Sequence, residues 1–165
     1  MTDADFRIPT LETERLTLRA PRLEDFEAYA AFWRSERSEI VGGPHGETTA
    51  WFILTDDRGH WPLRGFGVWA LDDGEACRGT VGFRLPAGRP DVELGWTLFS
   101  GTGRGYATEA ARAALGWAGA RWERVVSYID RSNVASRRVA ARLGARDTGM
   151  APDHDPACTV WEHAA

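Results

Sequence analysis

The sequence has few of the residues that form covalent or metal cross-links. Its 165 residues include only two cysteines and four histidines. Cys77 and Cys158 lie far apart and belong to no CxxC pair, so the sequence indicates neither a disulfide framework nor a zinc site. Two isolated cysteines are typical of a protein from a reducing compartment. We therefore expect a cytoplasmic protein without a bound metal.

Long apolar segments are missing as well. No run approaches the ~20 apolar residues that a membrane-spanning helix needs. The N-terminal stretch MTDADFRIPT has neither the basic start nor the apolar core of a secretion signal. We expect neither a membrane partner nor a cleaved leader.

Positive charge is scarce. Lysine and arginine together number 20 against 24 acidic residues, which gives a formal net charge of −4. Proteins that bind nucleic acid usually present an excess of basic side chains, so nucleic acid is not an expected partner. A negative balance is compatible with a cationic substrate such as an amine, and equally with a charge that only maintains solubility.

The composition is otherwise that of a globular protein, with 43% hydrophobic and 27% charged residues. No repeat, long linker or low-complexity tract divides the chain. We expect residues 1–165 to form a single domain, which would be a monomer or a homodimer.

The spacing of apolar residues predicts the element order β-α-α-β-β-β-α-β-α-β-β. This order is typical of an α/β (mixed α+β) protein whose mixed sheet carries helices on both faces. Gly95, inside the strand 91–99, predicts a bulge or a close backbone approach. The predicted strands are 15–19, 65–71, 78–85, 91–99, 123–129, 146–149 and 159–162, and the predicted helices are 23–33, 48 to between 54 and 58, the stretch from the glycine turn to 120, and 133–143.

A glycine-rich turn stands before the third helix, in the stretch SGTGRGYATEAARAALG over Ser100–Gly116. Glycine permits positive φ and a close backbone approach, and a helix N-terminus offers free N–H groups to an anion. Arg104 adds a cation, so the turn predicts a phosphate site. Thr108 stands where a dinucleotide fingerprint needs its third glycine, and no Gly-Lys-Ser/Thr of a nucleotide loop follows. A plain strand-to-helix connection is the alternative.

A second motif is NVASRRVAARLGA, which begins at Asn133. Asn133 occupies a helix N-cap position, and Ser136 follows on the same side of the helix. Gly144 suits the left-handed position that ends a helix. The two polar side chains could face a ligand, or the segment could be an ordinary capped helix.

Together, GRGYATEAARAAL and NVASRRVAARLGA resemble the GNAT superfamily of acyl-CoA-dependent N-acyltransferases, in particular its RimJ/RimL-like branch. The opening LETERLTLRAPRLEDFEAYAAFW and the strand DVELGW resemble the same branch. The resemblance implies a central mixed sheet that splays between its fourth and fifth strands (91–99 and 123–129) at a bulge. It also implies acetyl-CoA as the co-substrate, with its thioester in the gap.

The resemblance further implies which residues contact the coenzyme. Backbone N–H groups of the glycine turn would bind the pyrophosphate, the end of the preceding strand would pair with the pantetheine arm, and the capped helix would lie near the sulfur. These residues are, in that order, Gly103, Arg104, Gly105, Tyr106, Ala107 and Thr108, then Leu98 and Phe99, and then Asn133 and Ser136.

Acyl transfer to an amine needs a base, because a lysine-like amine of pKa ~10.4 is neutral in only about one molecule in 2,000 at pH 7. Glu93 is the candidate, since alternation places it on the same face as Gly95 and Thr97. It would act through a water, or it could simply pair with a neighbouring arginine. Ser136 is the family-based proton donor to the leaving thiolate, with Tyr128 as a weaker rival.

The acceptor pocket is predicted between the first two helices and a loop over 58–67. His60, Trp61 and Trp69 would be its aromatic walls, or His60 would be a second base; a loop histidine without a function is the alternative.

The sequence as a whole favours an acetyl-CoA-dependent N-acetyltransferase that acts on a primary amine by direct attack in a ternary complex. The acceptor would be a protein α-amino terminus or a small-molecule amine. Two alternatives stay open: a non-catalytic acyl-CoA-binding or sensing domain, and an enzyme that transfers a longer acyl group.

Overall fold

The computed structural model describes residues 7–164. Most of the N-terminal stretch considered above for a secretion signal, and both ends of the predicted 1–165 domain, lie outside the described residues. In chain order the elements are β1 (Leu11–Glu12), β2 (Thr17–Arg19), α1 (Phe26–Arg34), α2 (Glu47–Arg64), β3 (Val68–Asp72), β4 (Cys77–Arg84), β5 (Val92–Leu98), α3 (Tyr106–Ala118), β6 (Val125–Asp130), α4 (Val134–Arg142), β7 (Arg146–Asp147) and β8 (Cys158–His163).

The strands form one sheet in the order β1-β2-β3-β4-β5-β6-β8-β7. All neighbours are antiparallel except β5 and β6, which run parallel. The predicted element order is confirmed, with the short β1 added in front. The predicted mixed α/β fold is confirmed too.

Helices cover both faces of this sheet, as predicted. Side chains alternate between faces along a strand, and β3 shows the consequence directly. Trp69 and Leu71 join a buried cluster with the alanine-rich side of α3. Ala70, between them, joins another cluster with the side chains of α1.

The sheet opens between β5 and β6. These strands pair only at Val92↔Val125 and Glu93↔Val126, and the rest of each strand diverges. The predicted splay is therefore present, but the bulge predicted at Gly95 is wrong. β5 keeps an unbroken register with β4 through Gly95, and a Cβ there would lie 3.4 Å from the guanidinium Nη1 of Arg84.

The second helix is much longer than its sequence predicts. The predicted loop over 58–67 is wrong, because α2 continues to Arg64 with Pro62 inside it. Ala50, Leu54, Asp57 and Trp61 are buried at helical spacing, but the charge of Asp57 interrupts the apolar stripe that would have revealed the helix.

A 3₁₀ segment over Glu36–Val41, absent from the prediction, joins α1 to the loop 42–46. It carries Arg37, Ile40 and Val41 across the end of β5, where the cavities described below open. Within residues 7–164, the helices are too short or too polar to cross a membrane.

Candidate active site

Two cavities meet above the diverging half of β5. The larger, about 810 Å³, is here named the acidic cavity. The smaller, about 450 Å³, is named the basic cavity. The carboxylate residues that line the acidic cavity are Glu39, Asp56, Glu93, Asp130 and Asp155. The arginines that line the basic cavity are Arg37, Arg138 and Arg142, and none of the described carboxylate residues lines it.

The junction between the cavities is formed by residues that line both. They are Ile40, Val41, Trp96, Thr97, Asn133 and Ser136. A molecule held in the basic cavity can therefore present one end to a molecule held in the acidic cavity. This is the arrangement that a group transfer between two bound substrates requires.

The glycine turn forms one wall of the basic cavity. Gly103 and Gly105 both have left-handed φ values, of +83° and +84°, and α3 begins directly after them. A Cβ at Gly103 would meet nothing within 4 Å, so the space beside this backbone is open. The Oγ1 atom of Thr108 is buried in the same wall and has no hydrogen-bond partner in the protein. An orphan hydroxyl beside free helix N–H groups fits a phosphate ligand.

The first turn of α4 forms the opposite wall. Asn133 caps this helix, as predicted, and its Oδ1 accepts a hydrogen bond from the Ser136 N–H at 3.0 Å. This bond fixes the backbone from which the Ser136 side chain projects. The predicted left-handed Gly144 after the helix is also present, with φ +80°.

Most of the predicted coenzyme contacts line the basic cavity together. They are Leu98, Gly103, Gly105, Tyr106, Ala107, Thr108, Asn133 and Ser136. Arg104 does not line it; its side chain is exposed, and its carbonyl accepts a hydrogen bond from Arg15 at 2.8 Å.

Phe99 also lies off the cavity. Its ring is buried against Tyr29 and Phe32. Its N–H donates to the Arg78 carbonyl at 2.8 Å, and its own carbonyl accepts from Arg37 at 2.6 Å. Both backbone groups of Phe99 are therefore occupied. Phe99 directly follows β5, which ends at Leu98, and the prediction did not anticipate that Arg37 occupies its carbonyl.

Glu93 lies in the acidic cavity, at the last ladder position before β5 and β6 separate. Burial raises the pKa of its carboxyl group, and the charges of Arg84 and Arg89 oppose that rise. Arg84 is the cross-strand partner of Glu93. Its guanidinium is in turn paired with the buried Asp57, whose other oxygen accepts a hydrogen bond from Tyr29 at 2.9 Å.

The two predicted proton donors reach the same cavity. Ser136 lines it from α4, and Tyr128 lines it from β6. The Tyr128 hydroxyl is buried without a hydrogen-bond partner, and burial raises its pKa. Elements that are distant in the sequence therefore bring both side chains to the cavity that Glu93 also lines.

Glu109, a carboxylate in the first turn of α3, is held in hydrogen bonds to the N-terminal part of the chain. Its carboxylate accepts hydrogen bonds from the Thr13 hydroxyl at 2.6 Å and the Arg15 backbone N–H at 2.8 Å. These contacts and the Arg15 charge hold the pKa of Glu109 down against the effect of burial.

The three residues predicted to line the acceptor pocket are not brought to either cavity. Trp61 and Trp69 are fully buried in an edge-on aromatic pair at 4.7 Å, so they offer no surface to a substrate. The His60 Nε2 atom accepts a hydrogen bond from the Leu85 N–H at 3.1 Å. Since α2 replaces the predicted loop, the His60 and Trp61 side chains point into the core, and Trp69 points into it from β3.

Several residues that line the cavities were not predicted from the sequence. Arg138 and Arg142 are one helical turn apart on α4, so their i, i+4 spacing was a usable signal. Arg37 and Arg84 gave no such signal, because their positions depend on the 3₁₀ segment and on the β4–β5 register. Within residues 7–164, no group of three or more His, Cys, Asp or Glu side chains is arranged to hold a metal ion.

Comparison with known proteins agrees with this geometry. Residues 15–146 match the family model described as acetyltransferase (GNAT) domain. None of the curated proteins compared with the chain matches it.

Solved structures resemble the whole chain. An acetyltransferase from Agrobacterium tumefaciens is 39% identical, with 100% of this chain and 99% of that one covered and a TM-score of 0.90. A GNAT-family acetyltransferase from Bordetella pertussis is 31% identical, with 95% and 100% covered and a TM-score of 0.78. The microcin C7 self-immunity acetyltransferase MccE, solved with acetyl-CoA and AMP, shares the fold at 15% identity, with 92% and 93% covered and a TM-score of 0.74.

Proposed function

Because the chain belongs to the GNAT acetyltransferase family, we propose that it transfers an acetyl group from acetyl-CoA to a primary amine. The observation that carries this proposal is the pair of cavities of opposite charge that share one junction. We place the chain in the RimJ/RimL-like branch on its sequence motifs, and we take residues 1–165 as one catalytic domain.

The basic cavity is proposed to hold acetyl-CoA, which is the acetyl donor of this family. Its phosphates would lie against the N–H groups at the start of α3 and the orphan hydroxyl of Thr108. Arg138 and Arg142 supply positive charge beside them. Leu98 is the last residue of β5 along this wall, and its carbonyl is held by Arg37 at 3.2 Å.

The acidic cavity is proposed to hold the amine. Five lining carboxylate residues against one lining arginine, Arg84, favour a cation over an anion. The outer lining includes the exposed apolar side chains Ile40, Val41 and Phe52. The acceptor that fits best is therefore an amine attached to an apolar body, as in an arylalkylamine or a peptide with an apolar first residue.

Glu93 is proposed as the base that removes the amine proton, directly or through a water. Its raised pKa makes it a stronger base than an exposed carboxylate, while Arg84 favours the ionised form that a base must have. The amine nitrogen then forms the new bond to the acetyl carbon, and the carbon–sulfur bond breaks. Ser136, whose backbone is fixed by the Asn133 cap at the junction, is proposed to give the leaving thiolate its proton and to regain one from solvent, while Glu93 releases its proton to solvent.

A direct transfer is favoured over an acetyl-enzyme. Cys158 is the one cysteine in the acidic cavity lining, and burial together with its hydrogen bond to Asp155 raises its pKa to about 12. At neutral pH this thiol is protonated and a poor nucleophile.

The test measures thiol release from acetyl-CoA with a panel of three alkylamines of similar pKa and one peptide, whose α-amino group has a lower pKa of ~7.7–8.0. Phenethylamine, a peptide with an N-terminal phenylalanine, ethanolamine and a carboxylated amine such as β-alanine cover the relevant chemistry. Turnover is expected to be fastest for the cationic acceptors with apolar bodies and slowest for β-alanine. Tight acetyl-CoA binding without turnover of any acceptor would contradict the proposal and indicate a sensing domain.

A further inference from the structure

The apex of the splay between β5 and β6 is closed by a side chain. The parallel ladder ends at Glu93↔Val126, so the next residues in register are Leu94 and Ser127. In a continuous ladder, the Leu94 carbonyl would accept a backbone N–H from β6. Here it accepts the Ser127 hydroxyl instead, at 2.6 Å.

A third strand holds that hydroxyl in place. The Ser127 Oγ atom lies 2.8 Å from Nε2 of His163 on β8. A serine hydroxyl has one hydrogen, and at this position it is given to Leu94. His163 Nε2 must therefore carry the hydrogen and donate to Ser127. Both residues are buried, with exposed fractions of 2% for Ser127 and 5% for His163.

The hydrogen bond from Ser127 to Leu94, here named the tether, links β5 and β6 at the apex. A hydroxyl on a side chain reaches the Leu94 carbonyl from farther away than a backbone N–H does, so it links the strands while keeping them apart. Ser127 also lines the acidic cavity beside Leu94 and Gly95. Ser127 therefore lies at the closed end of the gap between β5 and β6.

From this geometry we propose that Ser127, positioned by His163, is the residue that limits the transferred group to a short acyl chain. The inference rests on the proposed acetyl transfer, in which the acyl group of the donor reaches from the junction toward Glu93. A chain longer than acetyl would extend to the apex and meet the tethered Ser127. Discrimination by one methylene of this kind is worth roughly 10–200-fold in kcat/KM.

The experiment compares kcat/KM for acetyl-CoA and propionyl-CoA with one amine acceptor. Ser127→Ala removes the tether and the hydroxyl at the closed end of the gap, so the propionyl-to-acetyl ratio is expected to rise about tenfold. Ser127→Thr keeps the hydroxyl and adds a methyl group at the apex, so the ratio should fall, and an unchanged or raised ratio would contradict the proposal. Thr159→Val is the matched control, because it deletes another buried hydroxyl on β8, the acceptor for Trp161 Nε1, without touching the apex.

The outcomes separate the two proposals. Failure of the unsubstituted protein to turn over acetyl-CoA with any amine would overturn the proposed function itself. Turnover with an unchanged propionyl-to-acetyl ratio in Ser127→Ala would overturn only the role of Ser127, as would an equal change in Thr159→Val. If Ser127→Ala does not fold, Ser127→Thr decides, since an unchanged or raised ratio in that variant would contradict a limit set by this side chain.

Discussion

Glu93 is subject to two opposing effects that together suit it to proton transfer. Burial favours its neutral form, and the neighbouring Arg84 favours its charged form. Arg84 is paired with Asp57, and Asp57 in turn accepts a hydrogen bond from Tyr29. The chain of contacts runs from the core to the cavity, so a change at Asp57 would reach Glu93 without touching a substrate.

Replacing Glu93 with glutamine should lower kcat by about 10²–10⁴-fold, the usual contribution of a general base. Because the pKa of Glu93 is raised, the activity of the unsubstituted protein should fall as pH is lowered from neutral and the carboxylate becomes protonated. The pH dependence of kcat at saturating substrate checks both points, since this acidic limb should vanish in Glu93→Gln.

Asp56→Asn is the matched control for that experiment. It removes one carboxylate from the same cavity and should raise the KM of a cationic acceptor while the acidic limb is retained. An unchanged kcat in Glu93→Gln would show that Glu93 is not the general base.

His163 makes the folding stability depend on pH. Burial lowers its pKa to about 4, against ~6.5 in an unfolded chain. The folded state thus resists protonation, so its stability is complete above pH ~6.5 and is lost as pH falls toward 4, by on the order of 3 kcal/mol. Urea unfolding between pH 7 and pH 5 measures this loss.

His163→Gln keeps a donor for Ser127 and cannot titrate. Its free energy of unfolding should therefore change less over the same pH interval. Equal slopes for the two proteins would show that His163 is not the group responsible.

The local sequence was sufficient to predict those structural features that depend only on neighbouring residues. The Asn133 cap, the left-handed Gly144 after α4 and the glycine turn could all be predicted from the sequence, because capping and positive φ depend on residues that are adjacent in the chain. The part of α2 beyond Arg58 could not be predicted from the sequence, since Gly59 and Pro62 both disfavour a helix locally. The burial of Trp61 and its hydrogen bond to the Val68 carbonyl at 2.9 Å accompany a helix that local propensity disfavours.

The glycine turn gives a prediction at the level of this element. Gly103→Ala places a methyl group in the open space of the basic cavity, and we expect the Kd for coenzyme A to rise about tenfold, equivalent to ~1.4 kcal/mol. The left-handed φ also costs about 1–2 kcal/mol of stability. Isothermal titration with coenzyme A measures the first effect and urea unfolding the second.

Gly74→Ala is the control for backbone strain. Gly74 has φ +87°, and a Cβ there also meets nothing within 4 Å, but it lies in the β3–β4 turn. It should lose similar stability and keep its coenzyme affinity. Equal Kd values for Gly103→Ala and Gly74→Ala would show that the glycine turn only connects β5 to α3 and does not bind the coenzyme.

At the scale of the whole molecule, the net charge of −4 conceals two sites of opposite sign. The acidic cavity collects carboxylates from the 3₁₀ segment, α2, β5, β6 and the loop before β8, and the basic cavity collects its arginines from the 3₁₀ segment and α4. The family motifs located most residues of the basic cavity, because these residues cluster in two stretches of the chain. The acidic cavity depends on residues such as Asp56 and Asp155, which only the tertiary fold brings together.

The shared junction implies that both substrates are bound when the acetyl group moves. Initial rates with acetyl-CoA and phenethylamine both varied test this most directly. We expect double-reciprocal lines that intersect, together with a protein whose mass is unchanged after incubation with acetyl-CoA alone. The sequence contains no lysine, so acetylation of lysine side chains cannot complicate the mass. Parallel lines, with one acetyl group retained on the protein, would contradict a direct transfer between the two cavities.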